Sequence, residues 1–383
     1  MKKLFCDGMI YDTDSRRFVR ADVLIDDGRI ARIEEEVDIL EADEIVDCTG
    51  KYLIPGLVDV HTHGRAGYDF NTADEDAITK MRTSYAKVGT TTVMATLASA
   101  PTELLNASIK AISNSRIESE GKATVAGIHL EGRYLNNKRR GAHALSLLAE
   151  LDADEVGALA DSMLPLPIHV SAAYELDDGH FTEALLSRGV TLGLAHSDAT
   201  YDEAMNFVTR GGRSFTHTFN AMRPMHHREP GNASAALLSD AYSEIICDGE
   251  HVHPAMVQML SRLKPDGKLV LITDSMEATG CEDGEYSIAG QKVYVVNGKA
   301  VNEEGALAGS TLDMFTALKN YMKFCSLTIE EAIPAATSNP ASMVGIDNVC
   351  GSIKEGLRAD IIILDSKTEL SICDVYAAGG KVN

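Results

Sequence analysis

His61-Thr62-His63 sets two imidazoles two residues apart near the start of a chain of 383 residues. In an extended segment, period-two alternation turns both rings to one side, where they can share a metal ion. His251-Val252-His253 repeats the spacing, so the pair gains weight only from what converges with it. Glu131 follows the apolar run Thr124 to Leu130, His196 follows Val190 to Ala195, His217 lies in Ser214 to Thr218, and Asp274 follows Leu269 to Thr273. A mixture of imidazole and carboxylate donors suits Zn or Fe(II) better than Mg or Ca, which prefer oxygen-only shells. The chemistry this allows is metal-assisted hydrolysis: the ion lowers the pKa of water toward neutrality, and an adjacent carboxylate moves the proton. Asp274 is the expected carboxylate, although a strand-end aspartate also serves as a helix N-cap.

Those residues need elements that end at one rim. Short apolar runs alternate with loops and helix-like stretches from Pro55 onward, the pattern of βα units around a parallel sheet. Eight runs read as strands: Leu57 to His61, Thr90 to Thr96, Thr124 to Leu130, Leu166 to Ala172, Val190 to Ala195, Ser214 to Thr218, Glu244 to Cys247 and Leu269 to Thr273. Glu75 to Val88, Thr102 to Ser119, Asp202 to Arg210 and Pro254 to Leu263 read as helices between them. The expected fold class is α/β, a (β/α)8 TIM-like barrel whose strand ends carry the site.

The chain ends read differently. Asp26-Asp27-Gly28 is a tight turn between Asp22 to Ile25 and Ile30 to Ile33. Glu285 to Val301 has hairpin character, Ser310 to Val344 reads as helices broken at Pro334 and Pro340, and Asp360 to Leu364 and Leu370 to Tyr376 read as strands. Neither end has enough strands for a core of its own. Residues 1–54 and 350–383 are therefore expected to join in one small discontinuous β-sandwich domain, with the hydrolase barrel at 55–349.

Composition narrows the partners. Lys and Arg number 35 against 57 Asp and Glu, a formal net charge of -22, which argues against nucleic acid and anionic membrane. With no Trp and 5% aromatic residues, stacking platforms are scarce. Seven scattered cysteines without C-x-x-C spacing read as reduced thiols of a cytoplasmic protein. The first residues meet Asp7 and Gly8 too early for a signal peptide, and no run nears the roughly 20 apolar residues of a membrane helix.

In order along the chain, PGLVDVHTHG (55–64), GIHLEG (127–132), GAH (141–143), LAHSDAT (194–200), THTFNAM (216–222) with REPG (228–231), ICDGEHVHP (246–254), ITDSMEATG (272–280), LAGSTLDM (307–314) and ATSNPA (336–341) form a familiar series. The chain resembles the amidohydrolase superfamily, and within it the amino-sugar-phosphate deacetylases. The resemblance implies that Glu131, His196 and His217 hold one divalent metal ion. It also implies that a second can sit with His61, His63, Glu131 and Asp274, zinc first and Fe(II) as an alternative. It assigns Asp274 as the catalytic base and proton donor and His143 as the group stabilising the oxyanion. His143 and His251 would face the acetamido sugar, the backbone amides of Asn220 and Ala221 would touch its phosphate, and Arg228 would reach that phosphate from the partner of a homodimer. The implied activity is removal of acetate from N-acetylglucosamine 6-phosphate, leaving glucosamine 6-phosphate. The galacto isomer, another amide, or a silent sugar-phosphate sensor are the alternatives.

The sequence departs from the family pattern at Arg65, Arg133, Ala144 and Leu145, all on expected rim loops. Arg133 reads either as a phosphate contact or as a surface salt bridge. Residues 132–149 hold four bases (Arg133, Lys138, Arg139, Arg140) and no acid, and 204–228 hold four more (Arg210, Arg213, Arg223, Arg228). Those two windows are where an anion is expected.

Overall fold

Eight strands pair side by side, all parallel, in the order in which they occur in the chain: Leu57–Thr62, Thr90–Ala98, Thr124–Glu131, Ile168–Ala172, Thr191–Leu194, Ser214–Phe215, Tyr242–Ile246 and Leu269–Ile272. This computed structural model describes residues 1–115 and 118–383. The first and eighth strands meet where Thr62 bridges Ser275, with the His63 N–H on the Ser275 carbonyl at 2.7 Å and the Asp274 N–H on the His61 carbonyl at 2.9 Å. The barrel therefore closes through the backbone of three candidate ligands.

Helices follow the strands and bury their apolar faces on the sheet, with Met81, Ile109, Leu159 and Leu185 all nearly inaccessible in one continuous core. Their starts follow from local chemistry. Asp74 caps Glu75–Lys87, Thr200 and Glu203 form a reciprocal box on Tyr201–Thr209, and Pro254 opens Pro254–Leu263 where its missing N–H costs nothing. The helix expected over Thr102 to Ser119 is seen as Thr102–Ser115; residues 116 and 117 lie outside the described residues, and 118 and 119 are not helical.

Strand six stops at Phe215, because the backbone turns left-handed at His217 (φ 31°) and again at Phe219 (φ 81°) and Ala221 (φ 49°). His217 therefore stands just beyond the strand, where the Thr218 N–H bonds the Glu244 carbonyl at 2.8 Å. The helices after Ser310 break at Ser326 and Thr337, giving Met314–Cys325, Ile329–Ala336 and Ser338–Met343. Pro334 stays inside its helix: it cannot donate to the Glu330 carbonyl, and the Tyr11 hydroxyl takes that place at 2.9 Å. Pro340 lies in the first turn, where no donor is needed.

The chain ends meet in one eight-stranded sheet made of Lys3–Asp12, Arg17–Asp26, Arg29–Glu34, Glu44–Asp47, Tyr52–Pro55, Ile361–Leu364, Ile372–Ala377 and Gly380–Lys381. Tyr52–Pro55 pairs with the first strand on one side and with Ile361–Leu364 on the other, which joins the two ends. Arg358, 1% exposed, ties this sheet to the barrel through Asp360 and Thr92. The segment expected as a hairpin near 285–301 is a three-stranded meander, Gly284–Ile288, Gln291–Val296 and Lys299–Asn302, and it leans over the rim.

Candidate metal centre and active site

Glu131 ends strand three and divides its carboxylate between two groups of histidines. Oε2 lies 3.1 Å from His63 Nε2 and 3.5 Å from His61 Nε2, while Oε1 lies 3.0 Å from His217 Nε2 and 3.2 Å from His196 Nε2. Asp274 Oδ1 completes the first group at 3.2 Å from His63 Nε2 and 3.5 Å from His61 Nε2. His196 (φ 46°), His217 (φ 31°) and Asp274 (φ 51°) all adopt left-handed backbone just past their strands. L-residues are uncommon there, and such conformations persist where surrounding structure enforces them.

The ring nitrogens show what this cluster is built to hold. His196 Nδ1 gives its proton to the Arg139 carbonyl at 2.8 Å, which leaves the Nε2 lone pair facing Glu131. His61 Nδ1 faces the Glu244 carboxylate at 3.3 Å, and its Nε2 is buried with no hydrogen-bond partner. Lone pairs aimed at carboxylate oxygens repel unless positive charge stands between them. Burial opposes a charged imidazole at His63, yet Asp274 and Glu131 push it up to about 9, while His61 first and His63 second hold Asp274 down to about 2 against its own burial. The carboxylates thus favour positive charge at this point, and the donor set of imidazole nitrogens and carboxylate oxygens fits a divalent transition metal.

Beside the cluster, burial lowers the His143 imidazole to about 3, so that it is neutral. Its Nδ1 meets Ser99 Oγ at 2.9 Å, and that oxygen accepts the Arg133 N–H at 2.9 Å. With one lone pair taken by the Arg133 N–H, the hydroxyl is free to give its proton to Nδ1, the tautomer that directs Nε2–H at the cavity. His251 pairs with Asp248 at 2.6 Å and lines the same cavity, whereas His253 caps the helix that starts at Pro254. The second H-x-H is thus divided between a cavity wall and a helix cap.

A model of the amidohydrolase family matches residues 52–382. The chain belongs to the amidohydrolase family. It is 33% identical over 356 residues to an N-acetylglucosamine-6-phosphate deacetylase of Lysinibacillus sphaericus, covering 92% of this chain and 91% of the relative. It is 35% identical over 345 residues to an N-acetylgalactosamine-6-phosphate deacetylase of Escherichia coli O157:H7, covering 89% and 90%. The crystal structure of N-acetylglucosamine-6-phosphate deacetylase from Pasteurella multocida superposes with a TM-score of 0.92 at 26% identity, covering both chains fully.

Asn220 and Ala221 line the cavity of this amidohydrolase, with the Asn220 backbone N–H given to the His217 carbonyl at 3.0 Å. Arg228 is exposed, sits 2.7 Å from His227 Nε2, and does not line its own chain's cavity. The basic windows are largely neutralised. Asp198 collects Arg139, Arg223 and Lys138 at 2.8, 3.3 and 3.4 Å, and Arg133 meets Glu155 at 3.2 Å. Arg140 and Arg210 face Glu304 and Asp177, and Arg213 donates to backbone carbonyls. Of the two readings of Arg133 the salt bridge is the one observed, and Arg65 donates to Ser84 outside the cavity.

Sequence reasoning missed Ser99, Glu244 and the wall formed by Ile288, Ala289 and Gln291 of the meander. Glu244 had a signal, a carboxylate within a short strand that ends in Ile245-Ile246. Ser99 and the meander had none.

Proposed function

We propose that this chain is a metal-dependent deacetylase that hydrolyses the acetamide of N-acetylglucosamine 6-phosphate to glucosamine 6-phosphate and acetate. The observation that carries this reading is the divided Glu131 carboxylate, with two histidines on each oxygen and Asp274 beside it. The residues to hold metal are Glu131, His196 and His217 for one ion, and His61, His63, Glu131 and Asp274 for a second, zinc first and Fe(II) as the alternative. A bound ion supplies acidification of water and polarisation of the amide carbonyl.

The chain's own groups do the rest. Asp274 takes the proton of the attacking water and returns it to the departing amine. His143, neutral and fixed by Ser99, donates Nε2–H to the oxygen that becomes negative. His251 forms the wall against the sugar, and Asn220 and Ala221 with a partner subunit's Arg228 meet the phosphate. That role for Arg228 explains why it stands exposed and without an acidic partner among the described residues. Two structures of relatives support the sugar: the Pasteurella enzyme, and a Mycobacterium smegmatis N-acetyl-D-glucosamine-6-phosphate deacetylase mutant in complex with N-acetyl-D-glucosamine-6-phosphate, at a TM-score of 0.89 and 29% identity.

A second substrate, N-acetylgalactosamine 6-phosphate, is favoured by the Escherichia coli relative at 35% identity. Free thiols at all seven cysteines accord with the cytoplasm as its compartment. Acetate release from the gluco and galacto phosphosugars tests the reading. Faster turnover of the gluco isomer supports it, and turnover of the galacto isomer alone reassigns the substrate.

A further inference from the structure

Two carboxylates buried beneath the candidate metal centre are not used by the proposed reaction: Asp59, which is bonded to Thr273 and the His61 N–H, and Glu244, which faces the imidazole of His61 itself. Glu244 projects from strand seven at 0% exposure, and its only ionic neighbours among the described residues are two histidines, His61 and His169. Oε2 lies 3.3 Å from His61 Nδ1 and 3.4 Å from the His217 N–H. Oε1 has no hydrogen-bond partner, with His169 Nε2 at 3.7 Å. A buried carboxylate without lysine or arginine is costly, so its retention calls for a task.

We propose that Glu244 is the positioning residue of the second metal position. A carboxylate only accepts, so the His61 proton facing it resides on Nδ1, and Nε2 is left to ligate beside His63, Glu131 and Asp274. A carboxylate behind an imidazole also makes that ring a stronger ligand. The other position is built differently, because His196 Nδ1 is held by the Arg139 carbonyl, a neutral acceptor. The turn that carries His217 is held by the Glu244 carbonyl through Thr218, and a glutamine at 244 keeps a side-chain oxygen to accept the His217 N–H. Removing the Glu244 charge should therefore weaken one metal position and spare the other. The inference rests on the metal-centre reading above.

The test is zinc titration of metal-free wild type and Glu244→Gln, with stoichiometry and both dissociation constants read by calorimetry and elemental analysis. Wild type is expected to take two zinc ions per chain. Glu244→Gln should hold the first with unchanged affinity and the second about 10- to 100-fold more weakly, with no fall in the melting temperature of the metal-free protein. Equal binding of both ions in the two proteins, or loss of both together in the variant, overturns the proposal. Wild type that takes one ion also overturns it and leaves the hydrolase reading standing; wild type that takes none overturns both. Should the variant not fold, zinc-loaded wild type still decides. Nitrogen-15 spectra are expected to show a slowly exchanging His61 Nδ1–H, assigned by its loss in His61→Asn, and absence of that proton overturns the proposal.

Discussion

Glu131 Oε1 lies 3.0 Å from His217 Nε2, and the other oxygen of the same carboxylate turns to His61 and His63. One side chain thereby belongs to both groups of ligands. Glu131→Gln keeps its shape and removes the charge both groups need. Metal content is expected to fall below one ion per chain, with kcat down at least about 100-fold, on the scale of a lost charged partner in a buried site. Elemental analysis beside acetate release checks this, and full metal occupancy in the variant would count against the shared carboxylate.

Asp274 is expected to matter for proton movement even where metal remains bound. Asp274→Asn in protein saturated with zinc should lower kcat by about 100- to 10,000-fold with a much smaller change in KM. Near wild-type deacetylation by the metal-loaded variant would remove Asp274 from the mechanism.

Gly141 guards His196. Its φ of +54° is left-handed, and an added Cβ would stand 3.0 Å from His196 Cε1. Gly141→Ala is expected to weaken metal retention during dialysis against a chelator by about tenfold. Retention equal to wild type would show that the loop accommodates the methyl group without moving His196.

Arg228 and Arg133 are expected to separate. Arg228→Ala should raise KM for the phosphorylated sugar by about tenfold or more, the weight of a charge-assisted contact, and leave unphosphorylated N-acetylglucosamine unaffected. Arg133→Ala should leave KM for both sugars nearly unchanged, since its guanidinium is engaged by Glu155 and Thr102. Parallel steady-state kinetics on the two sugars checks both statements.

Lys264 makes stability depend on pH. Its ammonium donates to the Ala236 and Ser239 carbonyls at 2.7 and 2.9 Å, and burial lowers its pKa from 10.5 to about 7. Between those values the unfolded chain holds a proton that the folded chain does not, so stability rises with pH across that window, and below about pH 7 the cost is present in full. The stability of wild type relative to Lys264→Met should rise by about 1 kcal/mol per pH unit between pH 7.5 and 9.5. Denaturant titrations at several pH values check the slope, and a flat difference would show that Lys264 titrates normally.

The site was legible where chemistry coincides with strand ends. His61, Glu131, His196 and Asp274 follow apolar runs, and in a parallel barrel those ends must share one rim. His217 was placed inside strand six because side-chain alternation runs on through Thr216 and Thr218, whereas the backbone turns left-handed and leaves the sheet. The basic windows misled for a different reason. Asp198 lies about 60 residues from Lys138 and Arg139 in sequence, and only the fold brings it to both and to Arg223. Charge counted along the chain cannot show that three cations are already held by one acid. Glu244 shows the same limit from the other side, since its partner His61 lies 183 residues away.

The most direct measurement of the proposed activity is acetate release from N-acetylglucosamine 6-phosphate by purified protein whose metal content is known. Turnover of about 1 to 1,000 per second is expected in protein carrying at least one zinc or iron ion per chain, lost on chelation and restored by adding the metal back. Protein that carries no metal and releases no acetate from either the gluco or the galacto phosphosugar would contradict it.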